Sequence, residues 1–454
     1  MNTTPAPTPP WPRLRFADAP GALPGIGHGL AALKDPLGFL TGLAAHGDLV
    51  LIRVGTWRAY VACHPEVAYR VLQDDRTYDK GGRIIDKAST FGGTGILMCP
   101  HVEHRRRRRI VQPAFDRRHL RQYAAVMSRH IDRITNNWQN DQPITPLHEA
   151  SSITASVAAE TFFGETLTTA EIAEMKQSVT TVFADAYRQV VSPAPLLRLP
   201  TKRNSRYEHA RRHLRTTVQK IITTYRDRGA DGSDLLAHIL EERNETDGGL
   251  TDDEAYNEIL GLLLAGVETT ANLIAWACLM LAQNPHIQNE VAAETREVLD
   301  GRAATWEDLS HLQVTTRVIN ETLRMYPPAW VSSRIVRHDS DLVPGHTVPA
   351  GSTVLYSPYL LHHRSDLYEE PALFNPDRWL DPRTPQRARD GFIPFAAGGR
   401  QCIGNDFGFS QATLTLATIT DRWHLDPPPA HPTPRVHLTL SPPPTSVRAN
   451  RRLR

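Results

Sequence analysis

The sequence predicts a mainly α-helical fold that carries a small β-rich lobe, an α+β architecture. Apolar residues recur at helical spacing over most of residues 65–330. Residues 48–62 alternate between apolar and polar side chains on both sides of a glycine, the pattern of a β-hairpin. Residues 331–362 are rich in turn-forming and β-forming residues, whereas residues 411–423 return to a helical pattern. The two β-type segments are therefore expected to form the lobe, and the rest of the chain the helical body.

A single domain is expected to include nearly the whole chain. Its 454 residues can bury a large core, and no linker-like segment interrupts residues 20–454. Residues 1–19 are rich in proline and predict a flexible N-terminal segment. Because this segment has neither the apolar core of a secretory signal nor the length of a membrane span, we expect a cytoplasmic protein. A monomer is the simplest expectation for its assembly.

Net charge and cysteine content further narrow the class of protein. The net charge is +2, so no overall electrostatic field favours nucleic acid as a partner. The chain has four cysteines, far apart in sequence and without a Cys-x-x-Cys pair. This usage is typical of a protein from a reducing compartment that has no disulfide framework.

The longest apolar stretch, residues 259–282, is almost long enough to span a bilayer. However, Glu268, Thr269 and Asn272 lie near its middle, and a carboxylate within lipid is energetically costly. A helix that is apolar on all sides but polar at its centre is typical of the central helix of a large globular protein. We therefore expect a buried core helix and no membrane span.

The most informative segment is the decapeptide at residues 395–404, in which Cys402 is surrounded by small residues. Its glycines are expected to adopt positive φ and to allow close contact with a flat ligand. Backbone N–H groups and Arg400 would stabilise the thiolate. The pattern Phe-x-x-Gly-x-Arg-x-Cys-x-Gly resembles the haem-binding loop of the cytochrome P450 family. This resemblance implies that Cys402 is the axial ligand of a haem b iron, with Phe395 and Arg400 in contact with the cofactor. The alternative is a buried free cysteine in a glycine-rich turn.

A second segment of the family pattern is Glu321-Thr322-Leu323-Arg324. Spacing i, i+3 places its carboxylate and guanidinium on one face of a helix. The resemblance implies that Glu321, Arg324 and Arg378 form a buried ion network behind the cysteine loop, with a structural role. Without the cysteine loop downstream, such a pair would be read as an exposed helix salt bridge.

Five consecutive arginines follow His104. Such a run could be a nucleic-acid patch or an exposed helix face. His104 and Arg108 are i, i+4 neighbours on a helix, and the resemblance implies that both bind a haem propionate through charge-assisted hydrogen bonds. It implies the same role for Arg334 and Arg400. The other four arginines of the run are expected to point elsewhere, some of them to solvent.

The centre of the long apolar helix, residues 265–270, resembles the oxygen-activation segment of the same family. A glycine together with a threonine that can bond a carbonyl one turn back favours a local opening of the helix. The resemblance implies that Glu268 and Thr269 are catalytic and relay protons to bound dioxygen. The alternative is a helix kink held by ordinary side-chain hydrogen bonds.

The substrate cavity is expected to be apolar. Helical spacing places three residues on the face of Thr269, and two others follow the Pro327-Pro328 pair. The expected lining is Gly261, Leu264, Ala265, Trp330 and Val331. The resemblance implies lids at residues 83–100 and 183–200, and it is strongest to bacterial members that oxidise sesquiterpenes such as epi-isozizaene and pentalenene. Fatty acid or polyketide substrates are the alternatives.

The resemblance thus implies a haem-thiolate monooxygenase that inserts one atom of dioxygen into a hydrophobic small molecule. Electrons would come from NAD(P)H through a ferredoxin and a ferredoxin reductase, because only 52 residues follow Cys402 (454 − 402). The ferredoxin would dock on the cysteine side, beside the basic residues 104–109. Two alternatives are a family member that uses peroxide or performs dehydration, and a non-catalytic haem protein that senses gas or carries electrons.

Overall fold

The computed structural model describes residues 14–164, 166–192, 194–228, 235–241, 250–386 and 388–453. Helices predominate, and the strands gather mainly in one lobe, which confirms the predicted fold class. The helices are α1 (Gly29–Lys34), α2 (Pro36–Leu43), α3 (Pro65–Gln73), α4 (Arg83–Gly92), α5 (His101–Val111), α6 (Arg117–Asn136), α7 (Pro146–Phe163), α8 (Thr169–Val191), α9 (Ala194–Arg198), α10 (Lys202–Arg228), α11 (Leu235–Glu241), α12 (Asp252–Gln283), α13 (Pro285–Leu299), α14 (Gln313–Met325), α15 (Pro358–His362) and α16 (Asn405–Arg422). The strands are β1 (Phe16–Asp18), β2 (Leu49–Val54), β3 (Trp57–Ala62), β4 (Tyr78–Lys80), β5 (Gln142–Ile144), β6 (Ser332–Val336), β7 (Ser340–Val343), β8 (His346–Val348), β9 (Thr353–Tyr356), β10 (Trp423–Leu425), β11 (Arg435–Val436), β12 (Leu440–Ser441) and β13 (Val447–Arg451).

The β-rich lobe is built on the predicted hairpin. Strands β2 and β3 pair in antiparallel register from Leu49–Ala62 to Val54–Trp57. They belong to a six-stranded sheet with the order β1-β2-β3-β9-β6-β4, in which β3 runs parallel to β9. The sheet therefore joins the hairpin to residues 332–356, as the two β-type segments of the sequence predicted.

The sheet begins earlier than the predicted domain boundary at residue 20. Strand β1 pairs in parallel with β2, from Phe16–Leu49 to Asp18–Leu51. The proline-rich composition of the N-terminal segment hid this short strand, because three residues are too few to show an alternating pattern. Residues 1–13 lie outside the described part of the chain.

The central helix α12 organises the helical body. A capping box formed by Thr251 and Glu254 begins it, and Pro285, the first residue of α13, follows its end. It packs against α7, α8, α10, α14 and α16. Among the described residues, α12 is the one helix long and apolar enough to cross a membrane, and most of it is buried inside the protein. This burial is what a core helix requires.

Helices α14 and α16 differ in how well their ends were predicted. Helix α14 ends at Met325, two residues before the Pro327-Pro328 pair, as expected. Helix α16 begins at Asn405 rather than near residue 411. Its polar first turn and Gly408 obscured the helical pattern there.

Candidate active site

The Cys402 loop is a tight turn that runs directly into α16. Gly398 has φ +69°, and a Cβ atom at that position would lie 2.2 Å from the carbonyl oxygen of Leu72, so the turn requires glycine. The N–H of Cys402 donates to the carbonyl of Phe395 at 2.9 Å and closes the loop. The other two glycines of the motif do not have positive φ; at Gly404, φ is −95°.

Arg108 holds this loop from the side of α5. Its Nη1 donates to the carbonyls of Gly399 at 3.1 Å and Gln401 at 2.7 Å, and its Nε donates to the side chain of Gln112 at 3.0 Å. Cys402 is solvent-accessible, yet the protein atoms around its thiol partly desolvate it and raise its pKa. The Gly404 N–H and the Arg108 charge oppose this shift because both favour the thiolate.

Three basic side chains meet beside the loop, and two of them have donors without hydrogen-bond acceptors among the described residues. Arg334 is 1% exposed, and its Nε and Nη2 atoms have no hydrogen-bond partner among the described residues. The Nε of Arg400 also lacks a hydrogen-bond partner there. Lys80, which the sequence analysis missed, has a pKa well below its usual range because of burial and the charges of Arg334 and Arg400. Unpaired buried donors and cations that repel each other indicate a place for an anion.

His104 belongs to the same cationic cluster. Burial, followed by the charges of Arg400, Arg108 and Lys80, lowers its pKa to about 3. His104 is therefore neutral at physiological pH and can donate through one ring nitrogen only. Because the donors present match two carboxylates, this cluster fits the propionates of a haem beside Cys402.

Asp79 positions Arg400, and sequence reasoning gave no signal for it. Its Oδ1 accepts from Arg400 Nη2 at 2.9 Å and from the N–H of His101 at 2.9 Å, while its Oδ2 accepts from Arg337 at 3.0 Å. The aspartate lies on the short strand β4, more than 300 residues from Arg400 in the chain. This contact is therefore a product of tertiary packing.

The structure brings Glu321, Arg324 and Arg378 together, as the E-x-x-R pattern implied. Arg324 donates to both carboxylate oxygens of Glu321 at 2.8 and 2.9 Å, and Arg378 Nε donates at 3.0 Å. The indole N–H of Trp379 and the N–H of Asn375 complete the coordination of the carboxylate. The side chains of Glu321 and Arg324 are both fully buried. The buried carboxylate thus has several hydrogen-bond donors within the core.

His362 connects this network to the segment that precedes the cysteine loop. Its Nδ1 faces the carbonyl of Arg324 at 3.2 Å, so it carries the proton, and its Nε2 accepts from the N–H of Ile393 at 3.0 Å. Burial lowers the pKa of His362 well below its usual range, in agreement with a neutral ring. Nothing in the local sequence around this histidine distinguished it.

The oxygen-activation segment lies in α12 as expected, but the helix there is not opened. Helix α12 is continuous from Asp252 to Gln283. The hydroxyl of Thr269 donates to the carbonyl of Ala265 at 2.5 Å, the bond one turn back that the sequence favoured. Glu268 accepts from the side chain of Asn272 at 3.4 Å, and burial raises the pKa of Glu268 to about 7.

The expected cavity residues lie in different environments. Gly261 and Leu264 are buried on α12, and Ala265 is half-buried. Trp330 is 5% exposed in the core of the β-rich lobe, and its indole N–H donates to the carbonyl of His437 at 3.0 Å. The tryptophan thus fastens the C-terminal segment to the lobe. Its part in the wall of the substrate cavity remains a prediction.

A basic cleft of about 870 Å³ lies on the surface beside the cysteine loop. Gly398 and Gly399 form one side of it, and α5 forms the other. Its charged and polar lining includes Asp75, Arg76, His101, Arg105, Arg106, Arg109 and Gln112. Arg107 belongs to the arginines of the run that do not point to solvent. Its side chain is 4% exposed and pairs with Glu258 at 2.9 Å.

Comparisons with known proteins agree with this geometry. Residues 20–449 match the cytochrome P450 family. The chain is 40% identical over 407 residues to pentalenene oxygenase of Streptomyces avermitilis, with 90% of each chain covered. It is 39% identical to cyclooctatin synthase and 38% identical to cyclooctat-9-en-7-ol 5-monooxygenase, both of Streptomyces melanosporofaciens, with 94% and 90% of each chain covered. The chain belongs to the cytochrome P450 family.

Proposed function

We propose that this cytochrome P450 monooxygenase oxidises a terpenoid, and within that class a sesquiterpene. The single observation that carries the chemistry is Cys402 in its closed loop beside the basic cluster of Lys80, Arg334 and Arg400. The terpenoid assignment is supported by relatives named for pentalenene and cyclooctatin chemistry at 38–40% identity over nine-tenths of the chain. The apolar residues expected around the cavity favour a hydrophobic substrate.

Haem b held in this cradle by Cys402 and the basic cluster would supply a redox-active iron for the oxidation of a C–H or C=C bond by dioxygen. Arg108 holds the cysteine loop in place through two carbonyls. The Glu268 carboxyl, with its pKa of about 7, can both accept and release a proton near neutral pH. The Thr269 hydroxyl, one residue further along α12, is the expected donor toward the substrate side.

Electrons are proposed to come from NAD(P)H through a ferredoxin reductase and a ferredoxin in the cytoplasm. The basic cleft beside the cysteine loop supports an acidic ferredoxin as the direct donor, because its lining includes several arginines. Exposed Arg105 and Arg109 lie on the outer side of α5, where a partner could reach them. We expect the enzyme to act as a monomer.

The test combines spectroscopy with a substrate panel. Reduced protein with carbon monoxide should show the strongly red-shifted Soret band of a thiolate complex, and Cys402→Ala should lose both that band and turnover. A band at the position typical of imidazole-ligated haem in native protein would overturn the ligand assignment.

The substrate class is then tested by the spin-state shift that follows displacement of axial water. Sesquiterpene hydrocarbons should shift the spin state at micromolar concentrations, whereas long-chain fatty acids and macrolide polyketides should not. A shift with fatty acids alone would contradict the terpenoid assignment. A haem protein without a spin shift or product, given surrogate ferredoxin and reductase, would favour a sensor or electron carrier.

A further inference from the structure

Residues 94–101, here called the strap, connect α4 to α5 and pass between the central helix and the cysteine loop. At its first end, the N–H of Thr94 donates to the side chain of Asn257 at 3.1 Å, and the N–H of Ile96 donates to Glu258 at 2.8 Å. Both acceptors are successive residues of α12. The strap is therefore bound to the central helix through its backbone.

The second end of the strap is bound to the cysteine loop. The carbonyl of Cys99 accepts from Arg400 Nη1 at 2.7 Å, and the N–H of His101 donates to Asp79 at 2.9 Å. The two ends share one design: a buried carboxylate accepts a backbone N–H of the strap and also pairs with a buried arginine. At the first end these partners are Glu258 and Arg107; at the second they are Asp79 and Arg400.

At the first end of the strap, the backbone also packs closely against α12. A Cβ atom on Gly93 would lie 2.4 Å from the side-chain oxygen of Asn257, and one on Gly95 would lie 2.6 Å from its carbonyl oxygen. Glycine at both positions therefore lets the backbone lie directly against α12. Glu258 itself is 0% exposed. Loss of either donor from a buried carboxylate is energetically costly.

The strap also contributes to the apolar interior. Ile96 is buried in the cluster that contains Leu260, Leu264 and Phe183. Leu264 is one of the residues expected to line the substrate cavity. The segment expected to act as a lid, residues 83–100, is thus bound in its second part to α12 and to the cysteine loop.

We infer that Asn257 and Glu258 are positioning residues that hold the strap as a fixed wall of the substrate cavity. In this view, the buried pair with Arg107 orients Glu258, while the bond that matters for substrate selection is the one from the N–H of Ile96. Discrimination between ligands of different size would then depend on that bond. The part of the inference that concerns the substrate cavity rests on the proposed haem site.

Two double variants separate the strap bond from the ion pair. Both remove the charges of Arg107 and Glu258 together, so neither leaves a buried charge unpaired. Arg107→Met with Glu258→Gln keeps an acceptor for the Ile96 N–H, whereas Arg107→Met with Glu258→Leu does not. Both are prepared as full-length, haem-loaded protein and compared with the wild type.

Amide hydrogen exchange of the strap is the first readout. The leucine variant should exchange about tenfold faster at Ile96, since one buried N–H loses its acceptor. The glutamine variant should remain close to the wild type. The second readout is the ratio of affinities for 4-phenylimidazole and imidazole, both of which bind haem iron. We expect this ratio to fall about tenfold in the leucine variant alone, because only the larger ligand needs the wall.

Equal exchange and equal ligand discrimination in the two double variants would overturn the inference, because Glu258 would then act only through its charge. If neither double variant folds, Asn257→Ala decides, with Asp253→Ala on the same exposed turn as its control. Faster exchange at Thr94 and weaker discrimination in Asn257→Ala alone would support the inference, and wild-type behaviour would overturn it. A wild-type protein without azole spectra would contradict the proposed haem site, while the exchange measurements would still decide on the strap.

Discussion

At the scale of single residues, the site is defined by groups whose charge is unusual for their type. Burial and neighbouring cations hold His104 neutral and lower the pKa of Lys80 well below its usual range. Arg334 retains buried donors without acceptors. Such an arrangement is unfavourable by itself, because like charges repel in a medium of low polarity. It becomes favourable when an anion with two carboxylates occupies the space between them.

Lys80→Met should therefore have opposite effects on the free and the haem-bound protein. Without haem, removal of one cation relieves repulsion from Arg334 and Arg400, so the melting temperature should rise or stay unchanged. With haem, the lost charge-assisted bond should weaken haem retention by roughly 1.5–3 kcal/mol. Differential scanning calorimetry of both forms and haem transfer to apomyoglobin measure the two effects. A variant that lowers the stability of both forms equally would contradict the assignment of Lys80 to the anion site.

The raised pKa of Glu268 predicts a pH dependence of stability with a definite sign. Its pKa is about 7 in the folded protein against 4.5 for an ordinary glutamate, so the folded state binds the proton more tightly. Stability should then fall as pH rises from about 4.5 to 7 and level off above that. The Glu268→Gln variant should lack this part of the pH dependence of stability. Thermal melts of both proteins at several pH values test it, and parallel pH profiles would contradict the raised pKa.

At the scale of elements, helix α12 combines a rigid core with a polar centre. It remains continuous through Glu268 and Thr269, although the sequence suggested an opened turn. The hydroxyl of Thr269 is instead bonded to the carbonyl of Ala265 within the helix. In the same helix, Asn257 and Glu258 lie about three turns earlier and bind the strap. One element thus presents the residues proposed as catalytic and those proposed as positioning groups at a fixed spacing.

Thr269→Ala should keep haem and substrate binding but divert electrons from product to peroxide, because a proton donor is lost while the helix is retained. Thr269→Ser keeps the hydroxyl and serves as the matched control. The measurement is the ratio of product formed to NAD(P)H consumed, with surrogate ferredoxin and reductase. If the alanine variant keeps the wild-type ratio, the threonine serves only the helix geometry.

The ion network between α14 and residues 375–379 is expected to contribute strongly to stability. Arg324→Met leaves the buried carboxylate of Glu321 with fewer donors, and the free energy of unfolding should fall by roughly 3–5 kcal/mol. Arg383, which pairs with Asp381 but is 89% exposed, is the control, and Arg383→Ala should change stability little. Urea denaturation of the two variants compares them. Equal stabilities would show that the buried network is not required for folding.

At the scale of the whole molecule, α5 separates two functions by face. His104 and Arg107 are buried, Arg108 holds the cysteine loop, and Arg105 and Arg109 are exposed. We propose that the inner face serves the cofactor and the core and that the exposed arginines serve a redox partner. Both groups contribute to the lining of the basic cleft, His104 and Arg108 as well as Arg105 and Arg109. The run of arginines that looked uniform in sequence is divided by the helical period of 3.6 residues.

His104→Ala with Arg108→Ala should lower haem retention, because the propionates and the cysteine loop both lose donors. Arg105→Glu or Arg109→Glu should leave haem content intact and slow the first electron transfer, most strongly at low salt, where exposed charges are screened least. Haem content per protein and the salt dependence of the reduction rate are the readouts. Loss of haem in the Arg105 and Arg109 variants with normal reduction would contradict this division.

The sequence by itself determined the local features of this protein. The hairpin at residues 48–62, the core helix and the helix end before Pro327 follow from periodicity and turn residues, which act within a few positions. The cysteine loop and Glu321-x-x-Arg324 are likewise short patterns. They were enough to predict the family and its haem cofactor, while the roles of the individual site residues remain predictions.

Only the tertiary structure decided which distant groups meet. Asp79, Lys80 and His362 carry no local signature, because their roles come from partners more than 30 positions away in the chain. The strap is similar: its acceptors Asn257 and Glu258 lie about 160 residues from the N–H groups they bind. Burial and charge at these positions depend on packing between elements. A local pattern cannot encode that packing, and it therefore became visible only in the folded chain.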